Sequence, residues 1–196
     1  SAPGAVCASD PAINLTPLIT GTAGGTWSGA GVSGALFDPS GQVGNINITY
    51  TVGGLGCSAS ETNAITVNQL PTSPVLTGNL TYCENETPPT LSAAGTVTIL
   101  WYSEADLVNL VNTGSNYTPS ANTNPSTFYV VQDDGNCVSL PSNITITPTP
   151  IPAAPIIEDT TLWCEGTNIP TLNAFANNTI RWYNDENLLN LVATGP

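Results

Sequence analysis

The chain has 196 residues, with fourteen acidic side chains against one cation, Arg181, a net charge of −13, and no His, Lys or Met. That balance excludes nucleic acid and anionic membrane as partners, because phosphate contacts need Lys and Arg. It also removes the usual general base and commonest metal ligand, together with Schiff-base chemistry and Lys–Asn cross-links, and no apolar run approaches the ~20 residues of a membrane helix.

Charged residues make up only 8% of the chain, and the polar remainder is mostly Thr, Asn and Ser. That surface suits exposed strands and turns, and it suits a secreted protein. In residues 1–70 the Gly-rich stretch "GGTWSGAGVSGALFDPSG" reads as a tight set of turns with Trp27 in the core. Its GxG spacings are followed by no helix and no Lys, so a phosphate loop is not the reading. "NINITYTV" alternates: Ile46, Ile48, Tyr50 and Val52 share one face, and Asn45, Asn47, Thr49 and Thr51 the other. "AITV" sets Ile65 with Val67.

A Pro-rich joint, "QLPTSP", opens the next stretch. There "TVTILWY" sets Val97, Ile99 and Trp101 together, "ADLVNLV" reads as a loop leading into a strand, and "TFYVV" and "NITIT" supply two more strands. A second joint, "TPTPIPAAP", follows. Proline fixes φ and favours extended geometry, so both joints should be short and stiff.

A shift of 81 residues carries Cys83 onto Cys164, Trp101 and Tyr102 onto Trp182 and Tyr183, and Leu107, Asn109, Leu110 and Gly114 onto Leu188, Asn190, Leu191 and Gly195, with no gap. The chain therefore divides into residues 1–70, 71–151 and 152–196. The last copy stops at the counterpart of Ser115, so the chain is expected to be a piece of a longer one. The only cation, Arg181, replaces Leu100 and precedes the Trp, so it should point away from the core.

Several short strands per ~80 residues, divided by Gly and Pro turns, indicate an all-β protein of β-sandwiches. In a row on stiff joints they would form an elongated array. Trp27, Trp101 and Trp182 are the expected core aromatics. Cys7 and Cys57 bracket the first unit, and Cys83 and Cys137 the second, at separations of 50 and 54 residues. This predicts two disulfides within domains, each contributing roughly 4 kcal/mol on the chain-entropy model. The partner of Cys164 would fall about 22 residues past Pro196 in the same register. The alternatives are five reduced thiols, or a zinc site, which CxxC and His would have marked.

"CENETPPTLSAAGTVTILWY…GSNYTP…FYVVQDDGNCVS…ITITPTP" and "CEGTNIPTLNA…RWY" resemble the Ig-like repeats of giant surface proteins of Bacteroidota. "GGTWSGAGVSGALFDPS…ITYTVGGLGC…ITVNQLP" is similar to a companion repeat of the same proteins. The resemblance covers essentially the whole chain. It implies tandem immunoglobulin-like β-sandwiches in an extracellular protein, of the kind found in gliding-motility adhesins and other cargo of type IX secretion and also in extracellular enzymes; with no His or Lys for catalysis, the expected role is structural and adhesive. Neighbouring repeats, surface polysaccharide or other filament subunits would be its partners. Trp101 lies 18 residues after Cys83, later than in antibody domains. The disulfide should therefore tie a strand-entry loop to the last hairpin.

No catalytic constellation emerges, and no cofactor is expected. Asp133 and Asp134 in "QDDGNC" would bind calcium only with further oxygens, and Asp-Gly is an ordinary turn. Tyr102 and Tyr183, opposite the core Trp residues, are the repeated aromatics that would contact a glycan if the chain were an accessory binding module of an extracellular enzyme. Thr160, in "DTT", matches the short O-glycosylation motif of Bacteroidota.

Overall fold

A computed structural model of the chain describes residues 4–54, 56–157, 164–166, 168 and 171–195. It separates into two compact units, Ser1–Pro148 and Thr149–Pro196.

The first unit holds two sandwiches, each with its own core. The leading sandwich has strands β1 (Val6–Cys7), β2 (Ile13–Asn14), β3 (Thr26–Gly29), β4 (Val32–Ser33), β5 (Leu36–Phe37), β6 (Gly44–Gly54) and β7 (Cys57–Asn68). They form a four-stranded sheet, β1-β7-β6-β3, and a three-stranded sheet, β2-β5-β4. The period-2 pattern of β6 turns Ile48 inward, where it meets Ile65, Val67, Leu15 and Phe37. The Gly-rich stretch carries β3, β4 and β5. It passes the chain from one sheet to the other, which is more than a set of turns.

The following sandwich has β8 (Val75–Thr77), β9 (Thr81–Cys83), β10 (Leu91–Ala94), β11 (Thr98–Tyr102), β12 (Leu110–Thr113), β13 (Asn116–Tyr117), β14 (Ser126–Asp133) and β15 (Ser142–Thr149). Its sheets run β12-β11-β14-β15-β9 and β13-β10-β8. Trp101 is fully buried among Leu91, Ile99, Phe128 and Val130. Its indole Nε1 donates to the Gly114 carbonyl at 2.8 Å, and its ring lies 5.7 Å from that of Tyr117. Both sandwiches share one plan. A short edge strand, β1 or β9, lies beside the last strand, β7 or β15, which returns from the longest hairpin of the sheet.

Gln132 received no weight in the sequence, where it sits between Val131 and Asp133. The structure makes it a latch. It lies opposite Ile99 on the inward face and is 1% exposed. Its Oε1 accepts from the Thr96 and Val97 amides at 2.6 and 3.1 Å, and its Nε2 donates to the Thr72 carbonyl at 2.6 Å. The side-chain amide thus ties the entry segment to the turn before β11. That turn starts the strand at Thr98 and leaves Val97 at the surface, contrary to its expected place beside Ile99 and Trp101. A Cβ on Gly95 would meet the Gln132 amide, so only glycine lets the turn approach. Gln132→Leu is expected to cost about 1–3 kcal/mol, because the stranded amides and carbonyl keep their desolvation penalty. A urea midpoint unchanged from wild type would remove the latch.

The second unit contains β16 (Ile156–Ile157) paired with β17 (Ala174–Phe175), and β18 (Arg181–Tyr183) paired with β19 (Leu191–Thr194). The 81-residue repeat holds here in the bonds around the Trp hairpin. Trp182 Nε1 donates to the Gly195 carbonyl at 2.8 Å, as Trp101 does to Gly114. Leu107 and Leu188 both take left-handed φ, 59° and 57°. Each closes a turn in which its amide donates to the carbonyl of an acidic residue three positions back, Glu104 at 3.2 Å or Asp185 at 3.4 Å, and the chain then enters a strand, so "ADLVNLV" forms a loop and then β12. Arg181 is exposed and Trp182 half-buried, as alternation along β18 requires.

Candidate functional site at the joint between the two sandwiches

Strand geometry decides which cysteines can meet. Cys7 ends β1, which runs parallel to β7 with Cys7 opposite Asn68. Cys57 opens β7 at the hairpin tip, opposite Gly54. Eleven residues of strand separate Cys57 from Asn68, about 36 Å, whereas a disulfide needs Cα atoms within about 7 Å. The second sandwich behaves alike. The Leu80 carbonyl before β9 accepts from Thr147, near the exit of β15, at 2.8 Å. The Tyr82 hydroxyl accepts from the Asn122 amide, ahead of β14, at 2.9 Å. Cys137 lies in the loop from β14 to β15, at the other end of these strands, roughly 20 Å away.

The expected pairs Cys7–Cys57 and Cys83–Cys137 are therefore corrected. Cys7 is bonded to Cys137, with Cα atoms 5.8 Å apart and a sequence separation of 130. Cys57 and Cys83 are exposed free thiols. The bond does tie a strand-entry cysteine to a last hairpin, but the hairpin belongs to the following sandwich. Cys164, in the second unit, is exposed.

Acidic side chains shape both ends of this bond. Asp10 Oδ2 accepts from the Cys7 amide at 2.8 Å. Asp133 Oδ1 accepts from Gly135 at 2.8 Å, and Asp134 Oδ1 accepts from Asn136 at 2.8 Å and Cys137 at 2.7 Å. These bonds build the turn that presents the Cys137 sulfur, so the two carboxylates considered for calcium are engaged by backbone amides. Among the described residues no three metal-ligating side chains gather.

The Cys137 amide first, then that of Asn136, holds the Asp134 carboxyl below its ordinary value of 3.8. A lowered folded value stabilises the turn above about pH 4, and that contribution disappears as pH falls through the lowered value. Asp134→Asn should flatten the loss of stability below pH 4, and equal acid slopes in mutant and wild type would refute this.

A second feature lies in the leading sandwich. The β6–β7 hairpin outruns the three-stranded sheet, and its inward face carries Trp27, Tyr50 and Glu61 in one row across β3, β6 and β7. A cleft of ≈ 400 Å³ opens between this row and the segment from Leu18 to Thr22. The Trp27 and Tyr50 rings stand 4.7 Å apart. The Tyr50 hydroxyl accepts from the Gly25 amide at 2.8 Å and donates to the Thr22 carbonyl at 3.3 Å. A side chain at Gly25 would strike the Thr51 carbonyl and the Tyr50 ring, so glycine is required there. Trp27 Nε1 is buried and has no hydrogen-bond partner, and Trp27 as a whole is only half-buried, packed at the margin of its core. The cleft escaped the sequence reading because it depends on where the opposing sheet ends. Tyr50 was legible only as a strand residue.

Tyr102 and Tyr183 are half-buried on the face opposite Trp101 and Trp182. Tyr102 lies across from Tyr129, and Tyr183 across from Leu191. Thr160 lies outside the described residues.

Two layers of mostly antiparallel strands around one core, repeated within one unit, define all-β, immunoglobulin-like β-sandwich modules. Residues 71–150 match the family model described as Ig-like domain CHU_C associated, which is similar to the stretch forming the second sandwich. No curated protein matches the chain.

Proposed function

We propose that the chain is a structural and adhesive segment of a long secreted cell-surface filament, in which Ig-like repeats hold a distal binding end away from the cell. The repeats are residues 1–70, 71–151 and 152–196, and surface gliding by an adhesin exported through type IX secretion is the setting the sequence resemblance favours. The observation that carries this reading is the Cys7–Cys137 bond, which joins one sandwich covalently to the next. Tension between the two then passes through a disulfide and bypasses the hydrogen-bonded strands between them. Disulfides persist in oxidising compartments, which favours an extracellular location. No described helix is long and apolar enough to cross a membrane. The acidic surface would keep neighbouring filaments apart, less so at high salt. The carboxylates at the joint serve turns, and with no His or Lys the reading is non-catalytic.

Force spectroscopy tests the mechanical role. The oxidised chain should release no contour length from residues 8–136 until a reductant is added. Equal release with and without reductant would refute it, as would failure of an antibody against the chain to label intact producing cells.

The Trp27 cleft supports a second reading, an accessory module that contacts polysaccharide. Aromatic rings beside Glu61 and Asn63 offer stacking and hydrogen bonding to a sugar ring. Binding on a glycan array should then be lost in Glu61→Ala and retained in Tyr102→Ala and Tyr183→Ala. Loss only in the tyrosine variants would move the contact to the outer face of the sheets.

A further inference from the structure

Cys57 and Cys137 occupy one place in the fold. Each sits where the long hairpin turns back: Cys57 pairs with Gly54 across the β6–β7 turn, and Cys137 adjoins Val138, which bridges to Asp133 at the end of β14. Cys7 and Cys83 occupy another. Each ends the edge strand beside the last strand. Each carbonyl then accepts from the amide of an acidic residue three positions on, Asp10 at 3.0 Å and Glu86 at 3.1 Å. Within one sandwich the two places lie at opposite ends of the last strand, too far apart to bond. Between the two sandwiches the edge-strand cysteine of the leading one is bonded to the hairpin cysteine of the following one. The other two cysteines of the first unit, Cys57 and Cys83, are exposed thiols, one of each kind.

We propose that Cys57 is the hairpin half of a further inter-domain staple, and that its partner is the edge-strand cysteine of a sandwich of this same type preceding the first. Staples would then recur from joint to joint, each linking one repeat to the next. The inference rests on the reading of Cys7–Cys137 as the covalent joint. Bond formation removes two protons and two electrons from the two thiols. A disulfide oxidant, oxidised glutathione or an exchange enzyme, accepts them and leaves as two thiols, by way of a mixed disulfide that the second thiolate attacks.

The test is the full chain with a second copy of residues 71–151 joined ahead of Ser1, carrying Cys137→Ser in the added copy. After equilibration in a glutathione redox buffer, free thiols are alkylated and peptides mapped without reduction. The expected result is a bond between Cys83 of the added copy and Cys57, with loss of Cys57 alkylation, beside an intact Cys7–Cys137. Cys57→Ser should return the added Cys83 to alkylation. The unextended chain supplies the same pair between molecules, as a reducible dimer lost in both Cys57→Ser and Cys83→Ser. Absence of a Cys57–Cys83 bond in both forms, with Cys7–Cys137 present, would overturn the recurring staple and leave the joint standing. Absence of Cys7–Cys137, or a bond from Cys57 to Cys7, would overturn both.

Discussion

Cys137→Ser is expected to uncouple the two sandwiches of the first unit and to remove up to roughly 5 kcal/mol of stability, the chain-entropy value for a closed loop of this size. The loop spans 130 residues. Its effect differs from that of a disulfide inside one domain, because the residues it encloses contain two separate cores. One is built on Ile48, Ile65 and Phe37, the other on Trp101, Leu91 and Val130. With the bond closed, unfolding either core leaves its chain tethered at both ends, so each gains from the constraint. With the bond open, only the Pro-rich joint connects them. Tryptophan emission in urea should therefore show two transitions in Cys137→Ser or in reduced wild type, both below the oxidised midpoint. Superimposable curves before and after reduction would refute the coupling.

Trp101→Ala should produce the largest loss of any single core substitution. Trp101 has no exposed surface, and truncation of a buried Trp costs about 3–5 kcal/mol through lost transfer energy and the cavity left behind. The Gly114 carbonyl also loses its indole donor, adding roughly 1 kcal/mol. For a small domain this is most or all of the available stability. The second sandwich should unfold while the leading core, which shares no residue with it, survives. Trp101→Phe keeps most of the volume and should cost less. Trp27→Ala should also cost less, since Trp27 is half-buried and its Nε1 makes no hydrogen bond to lose. Circular dichroism melts of the three variants check the order. A Trp27 loss equal to that of Trp101 would contradict it.

Much of this fold was legible because strands write a period of two. Ile48, Ile65 and Val67 could be assigned to a core face, and Trp101 to another, since neighbouring side chains on a strand must point apart. The 81-residue repeat was legible for a related reason. A left-handed Leu, a bulge after Trp and an indole bonded to a carbonyl thirteen residues on are local constraints, set by a few consecutive residues. They recur in Leu188, Trp182 and Gly195 because the same residues recur. Gln132 was not legible. It is the polar residue of an otherwise apolar inward row, and its worth lies in three groups distant in sequence, Thr72, Thr96 and Val97.

The cysteines mark the boundary between the two kinds of information. Composition and spacing by themselves determined an acidic, all-β, repeated chain with a single cation and no His or Lys. They also picked out the cysteines that bracket each unit. Which sulfur meets which was decided by tertiary structure alone. Sequence separation does not record the end of a strand at which a residue lies, and a strand of twelve residues such as β7 holds its two ends about 36 Å apart. Cys57, fifty residues from Cys7 in the chain, is beyond its reach, while Cys137, more than twice as distant in sequence, lies beside it across the joint.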